Sequence, residues 1–155
     1  MCKFCWGSLT ALLLVAAFFG YKFVYQGDTM PMSDGRIAIQ LNSSERDLVL
    51  AEMRAFVATL QSITQGIAKE DLAQAAGAAR TAGMAAQGGV PISLAAKLPM
   101  EFKKLGLDTH QKFDQLAMDA EQMEDGSHTL TQLSELMQNC VGCHATYRIA
   151  IGNPQ

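Results

Sequence analysis

The N-terminal stretch constrains the fold of this chain more than any other feature. From Phe4 to Tyr25 its only charged residue is Lys22. A helix that crosses a bilayer needs about 20 mainly apolar residues, and a lysine near its end can extend its charge to the headgroups. The stretch therefore predicts a single-pass membrane anchor over residues 1–25. A cleaved signal peptide is the alternative, because Val15 and Ala17 form an acceptable small-residue cleavage site.

The residues after this stretch divide into a linker and one domain. Residues 26–42 include Gly, Pro and Asp and predict a polar linker. Within them, 37–41 (IAIQL) has an extended pattern but no evident partner strand, so we interpret it as the end of the linker. Residues 43–155 are long enough for one domain. The net charge of −3 argues against nucleic acid as a partner, which would require a basic surface.

Apolar residues recur with helical spacing along four segments of this domain. The segments are 43–67, 69–87, 100–124 and 129–149. Ser44 with Asp47, and Thr129 with Gln132, resemble the capping boxes that begin helices. Four helices with short connections predict an all-α protein, namely a four-helix up-down bundle preceded by one transmembrane helix.

The four cysteines form two Cys-x-x-Cys pairs, and a histidine follows the second pair only. Cys140, Cys143 and His144 occupy positions i, i+3 and i+4, which share one face of a helix. Two thiols at this spacing can form thioethers with one haem while the histidine binds its iron. Cys-x-x-Cys-His is the attachment signature of c-type haem. The motif therefore predicts one covalent haem c with His144 as an iron ligand.

Other roles for the cysteines have less support. Cys140 and Cys143 are also compatible with a structural disulfide, a redox pair or half of a zinc site. A redox pair is expected in a βαβ context, which the pattern lacks. A zinc site needs two further ligands, for which His110 and His128 are isolated candidates. The first pair, at residues 2 and 5, is interpreted as two small apolar side chains without a function.

The C-terminal motif resembles that of the class II cytochromes c, the family of cytochrome c′ and its low-spin relatives. The resemblance rests on Cys140, Cys143 and His144 near the end of the last helix, and on the aromatic-then-basic pair Tyr147 and Arg148. It implies a haem inside a left-handed four-helix bundle, His144 as the proximal ligand and a distal residue from the first helix. The anchor departs from the soluble members of the family.

Two residues of the first helix compete for the distal position. The spacing typical of the family indicates Leu50, whereas a thioether sulfur is a known haem ligand and indicates Met53. A Met53 ligand implies a six-coordinate electron carrier. A Leu50-capped site implies an open iron that binds nitric oxide or carbon monoxide. His110 is the remaining alternative, and we expect it to be a partly exposed histidine of the third helix.

These observations predict a monohaem c-type cytochrome that transfers single electrons in a respiratory chain. We expect no enzymatic activity, because the sequence shows no paired catalytic carboxylates, no nucleophile with a base and no phosphate-binding loop. Proteins of the family receive their haem outside the cytoplasm. The resemblance therefore implies an inner-membrane protein with a periplasmic haem domain and redox partner proteins. A homodimer and a subunit of a respiratory complex both stay open.

Overall fold

The computed structural model describes residues 3–152, with side chains described from Trp6 onward. The first cysteine pair therefore lies outside the described side chains. The helices are α1 (Lys3–Gly20), α2 (Ser43–Ala68), α3 (Leu72–Thr81), α4 (Ile92–Lys97), α5 (Met100–Met123) and α6 (Gly126–Thr146). The strands are β1 (Thr29–Pro31), β2 (Ile37–Leu41) and β3 (Tyr147–Ile151). The other helical elements of the described residues are a π-helical turn at Tyr21–Gln26 and a 3₁₀ helix at Met84–Gly89.

The N-terminal apolar helix is present as predicted. Its apolar stretch, Trp6–Gln26, has a mean hydropathy of 1.7 and is long enough to cross a membrane. This stretch is not buried against the rest of the protein. A signal sequence has the same length and composition, so the helix by itself fits both interpretations made from the sequence.

Four helices enclose the larger of two apolar cores. Helix α2 packs against α3, α3 against α5, α5 against α6, and α2 also contacts α6. We call this cluster the helical core; its buried members are Ile63, Ala75, Ala79, Ala82, Phe113, Leu116, Ala117, Leu133 and Leu136. Small residues bring α2 and α3 close together, because a Cβ atom on Gly66 would lie 2.8 Å from the backbone nitrogen of Ala75.

A three-stranded sheet forms beside these helices, so the all-α prediction is wrong in this respect. Strand β2 pairs antiparallel with β1 and parallel with β3, with Ile39 opposite Ile149. The interpretation of 37–41 as the end of a linker is therefore wrong, because its partner strand lies at the far end of the chain. We call the second apolar cluster the sheet core; its buried members are Ile39, Leu41, Val49 and Leu94.

Both ends of the predicted linker over residues 26–42 are attached to the folded domain. The Asp28 N–H donates to the carbonyl of Lys97 at 2.8 Å, and the Gln40 N–H donates to the carbonyl of Asp28 at 2.8 Å. Ala38, Ile39 and Leu41 of β2 are buried, whereas β1 and the turn that follows it are largely exposed.

Helix α2 begins at Ser43 as predicted, but the residues that cap α2 and α6 differ from the predicted ones. Asn42, and not Ser44, caps α2: its side chain accepts from the Glu45 N–H at 2.9 Å, and the Glu45 carboxylate accepts from the Asn42 N–H at 3.0 Å. Asp125 caps α6, so this helix begins before Thr129. It also ends before Ile149, because the following residues pair with β2.

The segment 69–87 is likewise not one helix. It contains α3 and then the first part of the 3₁₀ helix Met84–Gly89. Helix α5, in contrast, matches the predicted 100–124 closely and runs without interruption through Gly106.

Candidate functional site

A cavity of about 350 Å³ separates the helical core from the sheet core. Val49 and Leu94 of the sheet core line one side. Phe56 and Cys140, which pack on the helical core, line the other. Most lining side chains are apolar, and the volume falls in the range of about 300–1,000 Å³ typical of ligand pockets. The cavity is therefore the candidate binding site.

Four of the predicted site residues line this one cavity. Cys140, Cys143 and His144 reach it from α6, and Met53 reaches it from α2. Their helical spacing places the two thiols and the imidazole on the same side of α6, as the sequence predicts. His144 is exposed at the edge of the cavity, while both cysteines and Met53 are half-buried. The structure thus brings together two thiols, an imidazole and a thioether.

Both cysteines are unpaired thiols. Burial raises the pKa of Cys140 above its ordinary value. Burial, together with the neighbouring Cys140, also raises the pKa of Cys143. The two groups are therefore protonated at neutral pH, which is not the state of an activated nucleophile.

Three other predicted site residues lie outside the cavity lining. Leu50 is half-buried on α2 and does not contribute to the lining. Tyr147 packs edge-on against Phe102, with ring centroids 5.4 Å apart. Arg148 lies 3.7 Å from the carboxylate of Asp34. Tyr147 and Arg148 thus fix strand β3 directly after the motif.

His110 is buried, with 1% of its surface exposed, so the expectation of a partly exposed histidine is wrong. Its Nδ1 lies 2.7 Å from the carbonyl oxygen of Ala82, which can only accept, so Nδ1 carries a hydrogen. Its Nε2 lies 2.5 Å from the side-chain nitrogen of Gln87 and 3.5 Å from the Glu52 carboxylate. A carbonyl that holds Nδ1–H leaves Nε2 as the reactive nitrogen.

Glu52, Gln87 and His110 form one polar wall of the cavity. Burial of the His110 ring disfavours its charged form, but the Glu52 carboxylate and the Ala82 carbonyl outweigh this effect and raise the pKa of His110. Glu52 and Gln87 are not among the site residues predicted from the sequence. The sequence does contain one indication of Glu52, because this charged residue interrupts the apolar stripe of α2 between Val49 and Phe56.

Asn139, the residue before Cys140 on α6, fixes this helix to the neighbouring helix α5. Its side-chain amide donates to Asp108 at 2.7 Å and to Thr109 at 3.1 Å, and Lys112 donates to its oxygen at 3.0 Å. These bonds tie α5 to α6 immediately before Cys140. The start of the motif is therefore held by a polar cluster in which Asn139 and Thr109 are buried and Asp108 and Lys112 reach the surface.

The donor set fits a haem better than a bare metal ion. Among the described residues, no group of three or more His, Cys, Asp and Glu side chains is arranged to hold a metal ion. A haem brings its own four equatorial ligands and needs axial donors, two thiols and apolar walls. The cavity offers all three of these.

No family model, curated protein or solved structure matches this chain. The resemblance to class II cytochromes c therefore stays a prediction from the motif and its surroundings.

Proposed function

We propose that this protein is a membrane-anchored monohaem c-type cytochrome that carries single electrons. The observation behind the proposal is that Cys140, Cys143, His144 and Met53 line one mainly apolar cavity. In this proposal α2, α3, α5 and α6 correspond to the four-helix bundle of a class II cytochrome c, and the sheet is an addition to it.

When bound, the haem supplies a one-electron iron couple. A haem held here would be attached through the thiols of Cys140 and Cys143. His144 would be the proximal ligand, because it lies next to Cys143 on the same side of α6. The apolar side chains of the two cores exclude water from the group. Asn139 keeps α6 in place while the attachment forms.

Met53 is the proposed distal ligand. It lines the cavity from α2, the helix that supplies this residue in the family that the motif resembles. Leu50 does not line the cavity, which weakens the support for a gas-binding protein with Leu50 over an open iron. A histidine–methionine pair of ligands raises the reduction potential relative to other axial ligand pairs, as suits a carrier between membrane or periplasmic partners.

The site and the apolar helix together support a location for the protein. Residues Trp6–Gln26 are long and apolar enough to span the membrane. Class II cytochromes c receive their haem outside the cytoplasm. We therefore propose an inner-membrane protein with its haem domain in the periplasm.

Covalent attachment is tested by haem staining after denaturing electrophoresis. The full chain should stain, and the double variant Cys140→Ala/Cys143→Ala should not. The matched control is Cys2→Ala/Cys5→Ala, which removes the other Cys-x-x-Cys pair and should stain as strongly as the parent chain. Staining that survives in the first double variant, or that is lost in the second, contradicts the assignment of the attachment site.

The distal ligand is tested by optical spectroscopy of the ferric and ferrous protein. Methionine ligation predicts a low-spin spectrum, a far-red sulfur-to-iron charge-transfer band and no response to carbon monoxide. Met53→Leu should lose the far-red band, whereas Leu50→Ala and His110→Leu should keep it. A high-spin spectrum that shifts at once with carbon monoxide would favour gas binding instead. A low-spin spectrum lost only in His110→Leu would identify His110 as the ligand.

A further inference from the structure

We infer that the mouth of the cavity lies on the bilayer surface, with α4 and the first turns of α5 facing the lipid headgroups. The inference rests on the proposal that Trp6–Gln26 spans the membrane. It goes beyond that proposal because it specifies which side of the folded domain faces the bilayer.

The first step is the short connection between the span and the domain. Gly27 directly follows the span and has a φ of 66°, a conformation that favours glycine. A Cβ atom on Gly27 would lie 2.4 Å from the carbonyl oxygen of Lys97. The Asp28 N–H donates to this same oxygen at 2.8 Å. The end of the span is therefore in direct contact with the end of α4.

The second step is a direct link between the span and the cavity wall. The Lys103 ammonium donates to the carbonyl of Val24, within the last turn of the span, at 3.1 Å. It also donates to the carbonyl of Ala95 in α4 at 3.3 Å. Ala95, Leu98 and Lys103 all line the cavity. One wall of the cavity is thus attached to the residues that leave the membrane.

The third step is the apolar surface at this wall. Ile92, at the start of α4, also lines the cavity and is 88% exposed. Leu107 of α5 lines it too and is 43% exposed. Helix α4 has six residues and is therefore only about 9 Å long. Ile92 consequently lies within a short distance of the residues that contact the span.

The fourth step is the distribution of charge along the domain. Four lysines lie around the end of the span. Lys97 is paired with Glu45 at 2.6 Å and Lys104 with Glu101 at 2.9 Å, whereas no ion pair is formed by Lys22 or Lys103 among the described residues. These lysines are Lys22, Lys97, Lys103 and Lys104. At the other end of α5, about 36 Å away by helix length, acidic residues surround an open pocket. They are Glu70, Asp71, Glu121 and Glu124.

Together these features indicate that a lipid surface covers the mouth of the cavity. Anionic headgroups attract lysines near the membrane, and an exposed apolar side chain beside them enters the interface as in amphipathic membrane-binding segments. The acidic end would be repelled from the same surface. The cavity would then open towards membrane-embedded redox partners and not towards soluble ones.

The test uses spin labels on the full haem-loaded chain in phosphatidylethanolamine–phosphatidylglycerol vesicles. Cys2 and Cys5 are replaced by alanine, and a single new cysteine is introduced as Ile92→Cys or, as the matched control, Met123→Cys. Met123 is an exposed apolar residue (58%) at the acidic end of α5. Collision with a water-soluble nickel complex and with oxygen, measured by electron paramagnetic resonance, reports whether each label lies in lipid or in water.

We expect nickel accessibility at position 92 to be about tenfold lower than at position 123, with high oxygen accessibility at position 92, as for a residue in the interface. Equal nickel accessibility at both positions would overturn the inference. Protection of position 92 from both reagents would also overturn it, because a second protein surface would then cover the mouth.

The outcomes separate this inference from the proposals on which it builds. Failure of the chain to float with the vesicles would contradict the membrane span itself. Absence of covalent haem would contradict the cytochrome assignment. The label at position 92 is then read in a chain that also carries Cys140→Ala and Cys143→Ala, and a position in lipid there would leave the orientation intact.

Discussion

The two cores on either side of the cavity are built from different kinds of contact. The helical core joins four long helices whose apolar residues repeat with the helical period. The sheet core depends on β2 and β3, two five-residue strands from opposite ends of the folded domain. The helical core can be predicted from local sequence pattern. The sheet core depends on pairing between strands that are distant in sequence, which no local pattern indicates.

The motif formed by Cys140, Cys143 and His144 lies at the boundary between the helical core and the sheet core. Helix α6 carries Cys140 beside the helical core and continues through His144 directly into β3, without a loop. The Tyr147 N–H closes the helix on the carbonyl of Cys143. A group attached to the cysteines would therefore contact both cores, and each prediction below tests how independent the cores are.

The largest expected effect is the loss of a fully buried side chain from either core. Leu116→Ala should lower the free energy of unfolding by about 2–5 kcal/mol, since truncation removes apolar contacts and leaves a cavity. Chemical denaturation measures this loss. Met123→Ala is the control in the same helix, because Met123 is exposed and its truncation should cost less than about 0.5 kcal/mol.

The matched change in the sheet core is Ile39→Ala, at a residue buried as completely as Leu116. We expect a similar loss of stability, but the loss of protection from hydrogen exchange should be distributed differently along the chain. In hydrogen exchange, Ile39→Ala should reduce protection mainly in β2 and β3, and Leu116→Ala should reduce it in all four long helices. Equal loss of protection throughout the chain in both variants would show that the two cores open as one unit.

We expect the next largest loss of stability from a change in the polar wall of the cavity. His110→Leu keeps much of the side-chain volume but leaves the Ala82 carbonyl without its donor, while the Gln87 amide keeps its bond to Glu52. Loss of a buried hydrogen-bond partner costs about 1–3 kcal/mol. A variant as stable as the parent chain would show that water or neighbouring groups replace His110 in these bonds.

The same histidine predicts a dependence of stability on pH. The pKa of His110 is raised in the folded state, because Glu52 and the Ala82 carbonyl favour the charged ring despite its burial. Its contribution is complete below the unfolded pKa of about 6.5 and is lost as the pH rises through the higher folded pKa. Glu52→Gln should flatten the stability profile in this window. An unchanged profile would contradict the role of Glu52.

A pair of glycines tests the close packing within the helical core. Gly66→Ala places a Cβ atom 2.8 Å from backbone atoms of Ala75 and Asp71, so α2 and α3 must separate. We expect a loss of about 1–3 kcal/mol from this overpacking. Gly77→Ala in α3 meets no atom within 4 Å and should stabilise the helix by up to about 1 kcal/mol. Two changes of the same sign would contradict the close contact.

The sequence predicts the parts of this protein that depend on local pattern. The apolar N-terminal helix follows from length and hydropathy alone. Helix α5 and the shared face of Cys140, Cys143 and His144 follow from helical periodicity. The presence of Met53 in the cavity lining follows from the same periodicity, because it lies on the apolar stripe of α2.

The features that the sequence does not predict depend on contacts between residues that are distant in the chain. The sequence predicts a helix through the residues of β3, since Tyr147 and Ile149 fit a helical period as well as a strand. Its true state is decided by hydrogen bonds to β2, far away in the sequence. The burial of His110 depends on Ala82 and Gln87, which approach it only because α3 ends and a 3₁₀ helix follows.

The smallest expected effect concerns the junction at which β2 passes into α2. The sequence indicates Ser44 as the cap of α2, whereas the structure assigns this role to Asn42 with Glu45 as its reciprocal partner. Asn42→Ala should therefore cost about 1 kcal/mol, because it leaves a backbone N–H at the helix start without its acceptor. Ser44 donates to the Asn42 side chain from an exposed position, so Ser44→Ala should cost less than about 0.5 kcal/mol. Thermal or denaturant unfolding of the two variants ranks them directly. If Ser44→Ala proved the more costly, the helix would begin later, and the sheet core would be separated from α2 by a longer turn.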